Sequence, residues 1–319
     1  MNRFISVFLA CIFSINAWAQ ETYPDKPVRI IVNVPPGGGI DAMARIVGAE
    51  LAKRTGKPFV IDNRAGASGN IGAEAVARSN ADGYTLLASI GATLSINDLL
   101  FAKTGFDSQA LTPVALMSSV PLALIVRKDL TAKDVASFVA QVKESGGKVN
   151  IGSNGNGTAS HLTAELFASE IGTRINHIPY KGTAPVSNDL LSGNIDATFI
   201  QYSAFYELHK AGKVRILAVA SENRLSALPE IPTMKEAGYP AMVSNTWNLL
   251  AAPAKTPPAT LQWLNKAVNA VLQDPETKAR FAAMHTDVET GSIDDAKRYV
   301  AEDRARWRKV IQSAHIQLE

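Results

Sequence analysis

A glycine-rich segment near the start of the chain has the composition of an anion-binding loop. It reads PPGGGIDAMAR (residues 35–45) and follows the apolar run VRIIVNV (residues 28–34). Gly37, Gly39 and Ala42 have the spacing of the dinucleotide fingerprint G-x-G-x-x-A. A helix that starts after such a loop presents unpaired amide N–H groups and the positive end of its dipole to an anion. The segment therefore predicts an anion site, and its spacing alone does not separate a nicotinamide cofactor from a smaller anion.

Two further loops offer the same chemistry. RAGASGNIG (residues 64–72) carries Ser68, and GSNGNGTASH (residues 152–161) carries Ser153 and Thr158. Glycines let the backbone approach an anion closely, and hydroxyl and amide side chains add hydrogen-bond donors. Each loop alone could be a tight turn between a strand and a helix. Three such loops in one chain favour a ligand site.

Several single side chains near these loops have both a structural and a functional interpretation. Asp41 could contact the ligand, or it could complement the helix dipole and pair with Arg45 four residues later. His161 could contact the ligand, or it could cap the first turn of its helix. Lys181 lies in the loop PYKGTAP and could contact the ligand or be solvated. Trp247 could stack on an aromatic ligand or belong to the core.

Motifs of well-known enzymes are absent from the sequence. It contains neither G-x-S-x-G nor H-E-x-x-H, and its five histidines lack metal-ligand spacing. We therefore expect no catalytic residues, no metal site and no cofactor, with an exported hydrolase or oxidoreductase as the alternative. The formal net charge is +3 and no basic block is present, so we expect no nucleic-acid partner.

The first residues have the pattern of a secretory signal peptide. Arg3 is followed by an apolar stretch (residues 4–15), and AWAQ (residues 17–20) offers a cleavage site after Ala19. The apolar stretch is shorter than the roughly 18 residues that a transmembrane helix needs. We therefore expect residues 1–19 to be removed and the mature chain to be exported to the periplasm.

Predicted strands and helices alternate along the chain, which indicates an α/β fold with mostly parallel sheets. The predicted strands are residues 28–34, 58–62, 84–89, 122–126, 148–153, 174–180, 195–200 and 214–221. Helices are predicted after the glycine-rich loops and over most of the chain from Pro257 onward. Another helix is predicted from Thr131, with Asp134 completing a capping box. A mature chain of about 300 residues is long enough for two domains.

Six segments of the sequence resemble the Bug family, the extracytoplasmic solute receptors of tripartite tricarboxylate transporters, also called the TctC family. They are residues 23–51, 60–87, 150–167, 177–199, 212–240 and 249–265. The resemblance covers essentially the whole mature chain in register. It implies a two-lobed periplasmic-binding-protein (Venus flytrap) fold, with residues 20–120 and 246–319 in lobe one and residues 121–245 in lobe two.

The resemblance also implies a ligand and a partner. The ligand would be a small mono- or dicarboxylate between the lobes, held by backbone N–H groups, hydroxyls and waters, and the receptor would be a monomer that serves membrane permease subunits. A receptor that signals to a sensor kinase is a further alternative. The site positions carried over by motif are Gly38, Gly39, Asp41, Ala67, Ser68, Ser153, Asn154, Gly157, Thr158, Ser160, His161, Tyr180, Lys181 and Thr183.

Two segments depart from the family pattern. Many members carry an acidic residue where this chain has Gln201, which we also expect to contact the ligand, and the absence of the acid disfavours an amino-acid ligand. The segment IGATLSIN (residues 90–97) replaces a stretch that is often polar in the family. Because that stretch lines the cleft in the family, we expect this chain to differ in specificity.

Overall fold

The computed structural model describes residues 23–313 and residue 316, so the predicted signal peptide lies outside the described residues. The strands are β1 (Val28–Val32), β2 (Phe59–Asn63), β3 (Thr85–Ile90), β4 (Leu111–Arg127), β5 (Asn150–Ser153), β6 (Asn176–Pro179), β7 (Ala197–Gln201), β8 (Val214–Val219), β9 (Asn245–Pro253) and β10 (Asp287–Val288). The helices are α1 (Gly39–Thr55), α2 (Asn70–Ala77), α3 (Ala92–Ser95), α4 (Asn97–Leu100), α5 (Val135–Glu144), α6 (Ala159–Ile171), α7 (Thr183–Ser192), α8 (Tyr206–Lys210), α9 (Pro258–Gln273), α10 (Pro275–Ala282) and α11 (Ile293–Ser313). Within this part of the chain, no helix is long and apolar enough to cross a membrane.

The strands form a sheet in the order β2-β1-β3-β9-β4-β7-β5-β6, with β8 and β10 also paired to β4. At one end of this order β1 pairs in parallel with β2 and β3, and at the other end β5 pairs in parallel with β6 and β7. β4 and β9 run antiparallel between these two parallel sets. The predicted α/β fold, with parallel strands followed by helices, is confirmed.

The long strand β4 belongs to both ends of the sheet. Residues 111–121 pair with β9, and residues 122–126 pair with β7. We call β1, β2, β3, β9, β10 and the first part of β4 the first half of the sheet, and the remaining strands the second half. The sequence predicted only residues 122–126 as strand and missed both the first part of β4 and all of β9. β9 is buried from Trp247 to its end, so it lacks the polar alternation that marks a half-exposed strand.

Each half of the sheet has its own apolar core. The first core joins β1, α1, β3, β9 and α9 through side chains such as Val32, Val47 and Val268. The second core joins the end of β4 to α5, α6 and β7, with Phe138 and Phe167 fully buried. Burying an aromatic or aliphatic side chain of this size contributes about 1.5–3 kcal/mol. These two cores hold the strand ends, and therefore the loops that follow them, in fixed positions.

The start of α5 differs from the prediction. The helix begins at Val135 and Asp134 is its N-cap residue, so the capping box lies three positions later than a box starting at Thr131. The Asp134 carboxylate accepts a hydrogen bond from Ser137 N, and Ser137 Oγ accepts one from Asp134 N. Asp at N-cap with Ser at N3 satisfies two amides, which explains why the helix starts there.

Trp247 is a core residue, which is the second of the two interpretations that its sequence position allowed. It is 2% exposed, and its indole Nε1 donates a hydrogen bond to Asp303 Oδ2 at 3.0 Å. Its ring lies edge-on to Tyr299 and directly against Gly91 at the end of β3. The aromatic ring therefore packs against the end of β3 inside the protein, where a solute cannot stack on it.

This packing predicts the effect of the substitution Gly91→Ala. The new Cβ would lie 2.2 Å from the Trp247 ring, so the ring or the end of β3 must move. We expect the free energy of unfolding to fall by about 1–3 kcal/mol, as for other overpacked sites, measured by denaturant titration. Gly48→Ala is the matched control, because its Cβ would meet neighbours at an ordinary 3.5 Å inside α1. Gly48→Ala should be neutral or stabilising, and an equal loss in both variants would contradict the account.

Candidate ligand-binding site

The candidate site is built from four loops at the carboxyl ends of parallel strands. Loop 1 (residues 33–38) follows β1, loop 2 (residues 64–69) follows β2, loop 3 (residues 154–158) follows β5, and loop 4 (residues 180–182) follows β6. Loops 1 and 2 belong to the first half of the sheet, and loops 3 and 4 belong to the second half. The carboxyl ends of parallel strands are where open α/β sheets bind their ligands.

Loops from the two halves contact each other. Ser68 Oγ in loop 2 donates a hydrogen bond to Asn156 O in loop 3 at 3.5 Å. Gly157 in loop 3 packs so close to Phe101, which follows α4, that a Cβ would lie 3.2 Å from its ring. The structure therefore brings together the glycine-rich segments that the sequence singled out.

Asp41 holds loop 1 in place from the first turn of α1. Its Oδ2 accepts hydrogen bonds from Gly37 N and Arg45 Nε, both at 3.0 Å, and its Oδ1 accepts one from Asn63 Nδ2 at 2.8 Å. Asn63 also donates to Val34 O, so it ties both ends of the loop together. Asp41 is 3% exposed, and the protein engages both of its carboxylate oxygens. The alternative interpretation, a pair with Arg45, is the one observed.

The hydrogen bonds keep the Asp41 carboxyl group ionised. Burial by itself raises its pKa, but the bonds from Arg45, Gly37 N and Asn63 outweigh burial and hold the net pKa below its usual value. A permanent negative charge beside the first turn of α1 also complements the helix dipole. The charge therefore stabilises the loop while the free amides of that turn stay available.

The first amides of α1 are presented at the surface of loop 1. Gly38 is the N-cap residue, has no side-chain capping bond, and is exposed together with Gly39. The N–H groups of a first helical turn have no acceptor within the helix. An anion next to Gly38 and Gly39 would receive these N–H groups as donors.

Loop 2 is held by buried asparagines that the sequence analysis missed. Asn33 Nδ2 donates to Gly69 O of loop 2 at 3.4 Å and also lies 2.8 Å from Ser89 Oγ and 2.9 Å from Thr93 Oγ1. Asn97 Nδ2 donates to Ser68 O at 3.0 Å. Thr93 and Asn97 belong to the segment that departs from the family pattern. Asn33 and Asn97 are each 1% exposed, so these bonds lie out of water and fix the loop firmly.

The backbone of loop 2 has an unusual conformation. Ala67 and Ser68 have φ angles of 46° and 54°, in the left-handed region that L-residues rarely adopt. Each such residue costs about 1–3 kcal/mol unless its surroundings hold it there. The bond from Asn97 to Ser68 O supplies that support, and the result is that Ser68 projects toward loop 3.

Loop 3 is arranged by Thr158 and Ser153. Thr158 is the N-cap residue of α6, where its Oγ1 donates to Gly155 O at 2.7 Å and accepts from His161 N. Ser153 is fully buried and its Oγ lies 2.7 Å from His177 Nε2. These two hydroxyls are used inside the protein, so they shape the loop instead of offering free donors.

Two buried polar atoms near loop 3 lack hydrogen-bond partners among the described residues. They are Asn154 Oδ1 and Ser160 Oγ, and Ser160 lies in the first turn of α6. Gln201 Oε1, at the end of β7, has the same property. Buried polar atoms in native proteins are almost always paired, so a ligand or water is expected at each of these atoms. All three residues were site predictions.

His161 lies beneath loop 3 and bonds to it. Its Nδ1 accepts a hydrogen bond from Gly157 N at 3.2 Å, and its ring stacks on His177 with 4.0 Å between centroids. Its Nε2 lies 3.7 Å from Glu165 Oε1 on the next turn of α6. Burial lowers the pKa of His177 to about 4, with His161 adding to the shift and Glu165 opposing it. His161 is thus a buried support of the loop, which is the alternative to direct ligand contact.

Loop 4 combines a fixed tyrosine with an exposed lysine. Tyr180 donates from its hydroxyl to Asp189 Oδ2 at 2.6 Å, and burial together with this bond raises its pKa to about 12. Lys181 is exposed, and Thr183 starts α7 after Gly182, which has a φ of 107°. Lys181 is therefore an exposed cation in loop 4, whereas Tyr180 is held in place by its bond to Asp189.

Comparison with known proteins identifies relatives across the whole chain. The model of the tripartite tricarboxylate transporter family receptor matches residues 43–316. Protein BugT of Bordetella pertussis is 36% identical, over 99% of this chain and 97% of its own length. An Agrobacterium vitis protein from the TAR-I ttuE-ttuC' intergenic region is also 36% identical, over 89% of this chain and 83% of its own length.

Solved structures give the same result and include bound carboxylates. An R. palustris protein solved with adipate has a TM-score of 0.86 and 34% identity, covering 92% of this chain and 99% of that chain. MatC of Rhodopseudomonas palustris, solved with bound malate, has a TM-score of 0.82 and 29% identity, covering 91% of this chain and 100% of that chain. The periplasmic binding protein BugD has a TM-score of 0.82 and 30% identity, covering 93% of this chain and 100% of that chain.

The role of Asp41 predicts how the stability of Asp41→Asn depends on pH. The folded-state pKa lies below the unfolded value of about 3.9, so the unfolded chain binds more protons in acid. Asp41 therefore adds stability above about pH 4 and loses it as the pH falls through the folded-state pKa. Without the charge, we expect Asp41→Asn to be about 2 kcal/mol less stable at pH 7, with the difference shrinking below pH 4.

Thermal unfolding of both proteins from pH 2 to pH 7 measures this difference. Asp294→Asn is the control, because that carboxylate sits at the start of α11 with its side chain 90% exposed. It should change stability little at any pH. A constant difference between Asp41→Asn and the natural protein across the range would contradict an ionised Asp41 holding loop 1.

Proposed function

Because this chain belongs to the receptor family of tripartite tricarboxylate transporters, we propose that it is a periplasmic solute-binding protein that binds one small carboxylate between loops 1 and 2 and loops 3 and 4. The observation that carries the proposal is the pair of helix starts, at Gly39 and at Ala159, behind glycine-rich loops from opposite halves of the sheet. Adipate and malate in the related structures support the ligand class. Relatives that are receptors support a binding protein without an enzymatic reaction.

The chemistry of the two helix starts is sufficient for a useful affinity. Micromolar binding requires about −8 kcal/mol. A hydrogen bond to a charged group contributes roughly 1.5–3 kcal/mol, and a helix N-terminus adds up to ~2 kcal/mol in a partly buried site. Three or four such bonds are needed, and neither helix start alone supplies them. Binding therefore favours the conformation in which both halves contact the ligand.

We propose that the two halves form two lobes that close on the ligand. Lobe one comprises residues 20–120 and 246–319, and lobe two comprises residues 121–245. The separate cores of the two halves and the pairing of β4 first with β9 and then with β7 support this division. The closed monomer then presents a surface that differs from the open one to a membrane permease, to which it delivers the solute.

Individual residues in and near the four loops would have specific roles in the site. Gly38 and Gly39 would supply backbone amides, and Lys181 would supply a positive charge to a second carboxylate. Ser160, Asn154 and Gln201 would bind the ligand or its waters through polar atoms that lack protein partners. These roles favour a dicarboxylate, because donors of this kind come from both halves of the sheet.

Two alternatives to transport make different predictions. An exported oxidoreductase would use loop 1 as a dinucleotide site. An acidic residue about twenty positions further on, here Asp62, would then bind the ribose. In this structure the Asp62 carboxylate forms an ion pair with Arg64 at 3.0 Å. A receptor for a sensor kinase would bind the same ligand and differ only in its partner. Crosslinking of the ligand-loaded receptor in native membranes, followed by mass spectrometry of the partner, distinguishes a permease from a kinase.

Thermal unfolding with added ligands tests the ligand class. We expect adipate, malate or another small carboxylate to raise the unfolding midpoint by several degrees at saturating concentration, because the ligand binds only the folded protein. NAD should leave the midpoint unchanged. Stabilisation by NAD, with none from a panel of mono-, di- and tricarboxylates, would contradict the proposal.

The substitution Gly39→Pro tests the role of a single backbone amide. Gly39 is the first residue of α1, where proline fits without disturbing the helix, and Gly38 before it has the extended conformation (φ −77°, ψ 165°) that proline requires. Proline removes one N–H donor to the ligand. We expect the affinity for the stabilising carboxylate to fall by about tenfold to a hundredfold in isothermal titration, as for a lost hydrogen bond to a charge.

Gly39→Ala is the matched comparison for added bulk. Its Cβ would meet its nearest neighbour, Met43 Cε, at 3.9 Å, and the amide is retained. We expect Gly39→Ala to lose much less affinity than Gly39→Pro, with both proteins unfolding at similar temperatures. Equal affinities for the two variants would remove the Gly39 amide from the ligand site.

A further inference from the structure

A cluster of three metal-ligating side chains lies beneath loop 3. His161 and Glu165 face each other across one turn of α6, and His177 comes from β6. Their potential ligand atoms all lie within 4.8 Å of one another, and His161 Nε2 is 3.7 Å from Glu165 Oε1. The spacing of histidines along the chain did not predict this cluster, because the fold brings β6 beside α6.

The residue types and distances suit a transition metal. Two imidazoles and one carboxylate are the ligand set of zinc sites that keep a fourth position for water or another ligand. With metal–ligand bonds of about 2.1 Å, neighbouring ligand atoms in a tetrahedral site are about 3.4 Å apart. His161 and Glu165 are already close to that separation, so small side-chain rotations would complete the site.

We propose that His161, Glu165 and His177 form a binding site for a divalent transition-metal ion of the zinc type. His161 ligates through Nε2, because its Nδ1 faces loop 3, and Glu165 ligates through one carboxylate oxygen. His177 supplies a ring nitrogen after its ring tilts away from the parallel stack with His161, and if that nitrogen is Nε2 it gives up its 2.7 Å contact with Ser153 Oγ. Water or an exogenous ligand fills the fourth position.

Glu165 connects this cluster to the protein surface. Glu165 is partly exposed and lines a surface depression of about 490 Å³ at the C-terminal half of α6. The other residues around this depression are Ala168, Ser169, Gly172, Thr173, Arg174 and Ile175. The metal proposal therefore rests on residues other than the two helix starts that are proposed to bind the carboxylate.

Metal binding at His161 has a consequence for loop 3. A neutral imidazole carries one proton, so ligation through Nε2 places that proton on Nδ1. Nδ1 then becomes a donor and can no longer accept the hydrogen bond from Gly157 N, which is 3.2 Å away. Gly157 N is released from His161, and its environment changes when the metal binds.

Co²⁺ binding to the whole mature protein tests the proposal. We expect one equivalent of Co²⁺ to bind, with visible absorption bands that are lost when Zn²⁺ is added in competition. Glu165→Gln keeps the shape of the side chain and removes the charged ligand. His161→Asn keeps an acceptor near the position of Nδ1, and so the bond from Gly157 N, while removing Nε2. We expect each variant to bind Co²⁺ at least about tenfold more weakly with an unchanged fold by circular dichroism.

The surface pair of His285 and Glu207 provides the matched control. It is also a histidine next to a carboxylate, at 3.2 Å, and it lies far from α6 in the sequence. Among the described residues, no third metal-ligating side chain joins this pair. His285→Asn should therefore retain full Co²⁺ binding. Absence of stoichiometric binding, or equal binding by Glu165→Gln and the natural protein, would overturn the proposal.

The amide signal of Gly157 gives a second readout. We expect it to shift in ¹H–¹⁵N spectra when one equivalent of Zn²⁺ is added, and to stay in place in Glu165→Gln. A histidine pair that is only structural would leave this signal unmoved. Zn²⁺ binding without movement of the Gly157 amide would overturn ligation through His161 Nε2.

Discussion

The structure depends on leaving the first amides of α1 and α6 free while everything around them is fixed. A helix start has several N–H groups without acceptors, and they can serve a ligand only if the loop before the helix does not fold over them. In loop 1 this is achieved by Asp41, whose two oxygens hold Gly37, Arg45 and Asn63 from the buried side. In loop 3 the same task falls to Thr158, which donates to Gly155 O and caps only the third amide of α6, that of His161. The charged and polar side chains near the site thus mainly shape the loops.

A second constraint follows from the proposed function, because one carboxylate can contact both helix starts only if they face each other. They belong to different parallel strand sets, and the antiparallel pair β4 and β9 joins these sets into one sheet. The pairing of β4 changes from β9 to β7 between residues 121 and 122, which is where a bend would separate the two halves. Loops 2 and 3 come from different strand sets and are far apart in the sequence, and they meet where Ser68 Oγ donates a hydrogen bond to Asn156 O.

Much of the fold follows from sequence patterns, whereas the supports of the site do not. Apolar runs with glycine-rich loops predicted β1, α1, β5 and α6, because buried parallel strands and helix starts have strong local signals. The supporting roles of Asp41 and Trp247 were each only one of two interpretations, because a sequence does not show that Asn63 or Asp303 lies within hydrogen-bond distance. Asn33, Asn97 and His177 were missed for the same reason. A polar residue at the end of a buried strand, such as Asn33 or Asn63, is the signal that could have identified the loop supports.

Nuclear magnetic resonance of the ¹⁵N-labelled protein during titration with the carboxylate that stabilises it tests the central claim most directly. If one carboxylate is held by both helix starts, the amide protons of Gly39 and of Ala159 will move together, downfield and with one affinity. These positions lie at the first residues of α1 and α6, in opposite halves of the sheet. Shifts confined to one of the two helix starts, or found only elsewhere in the protein, would contradict a carboxylate bound between the two halves.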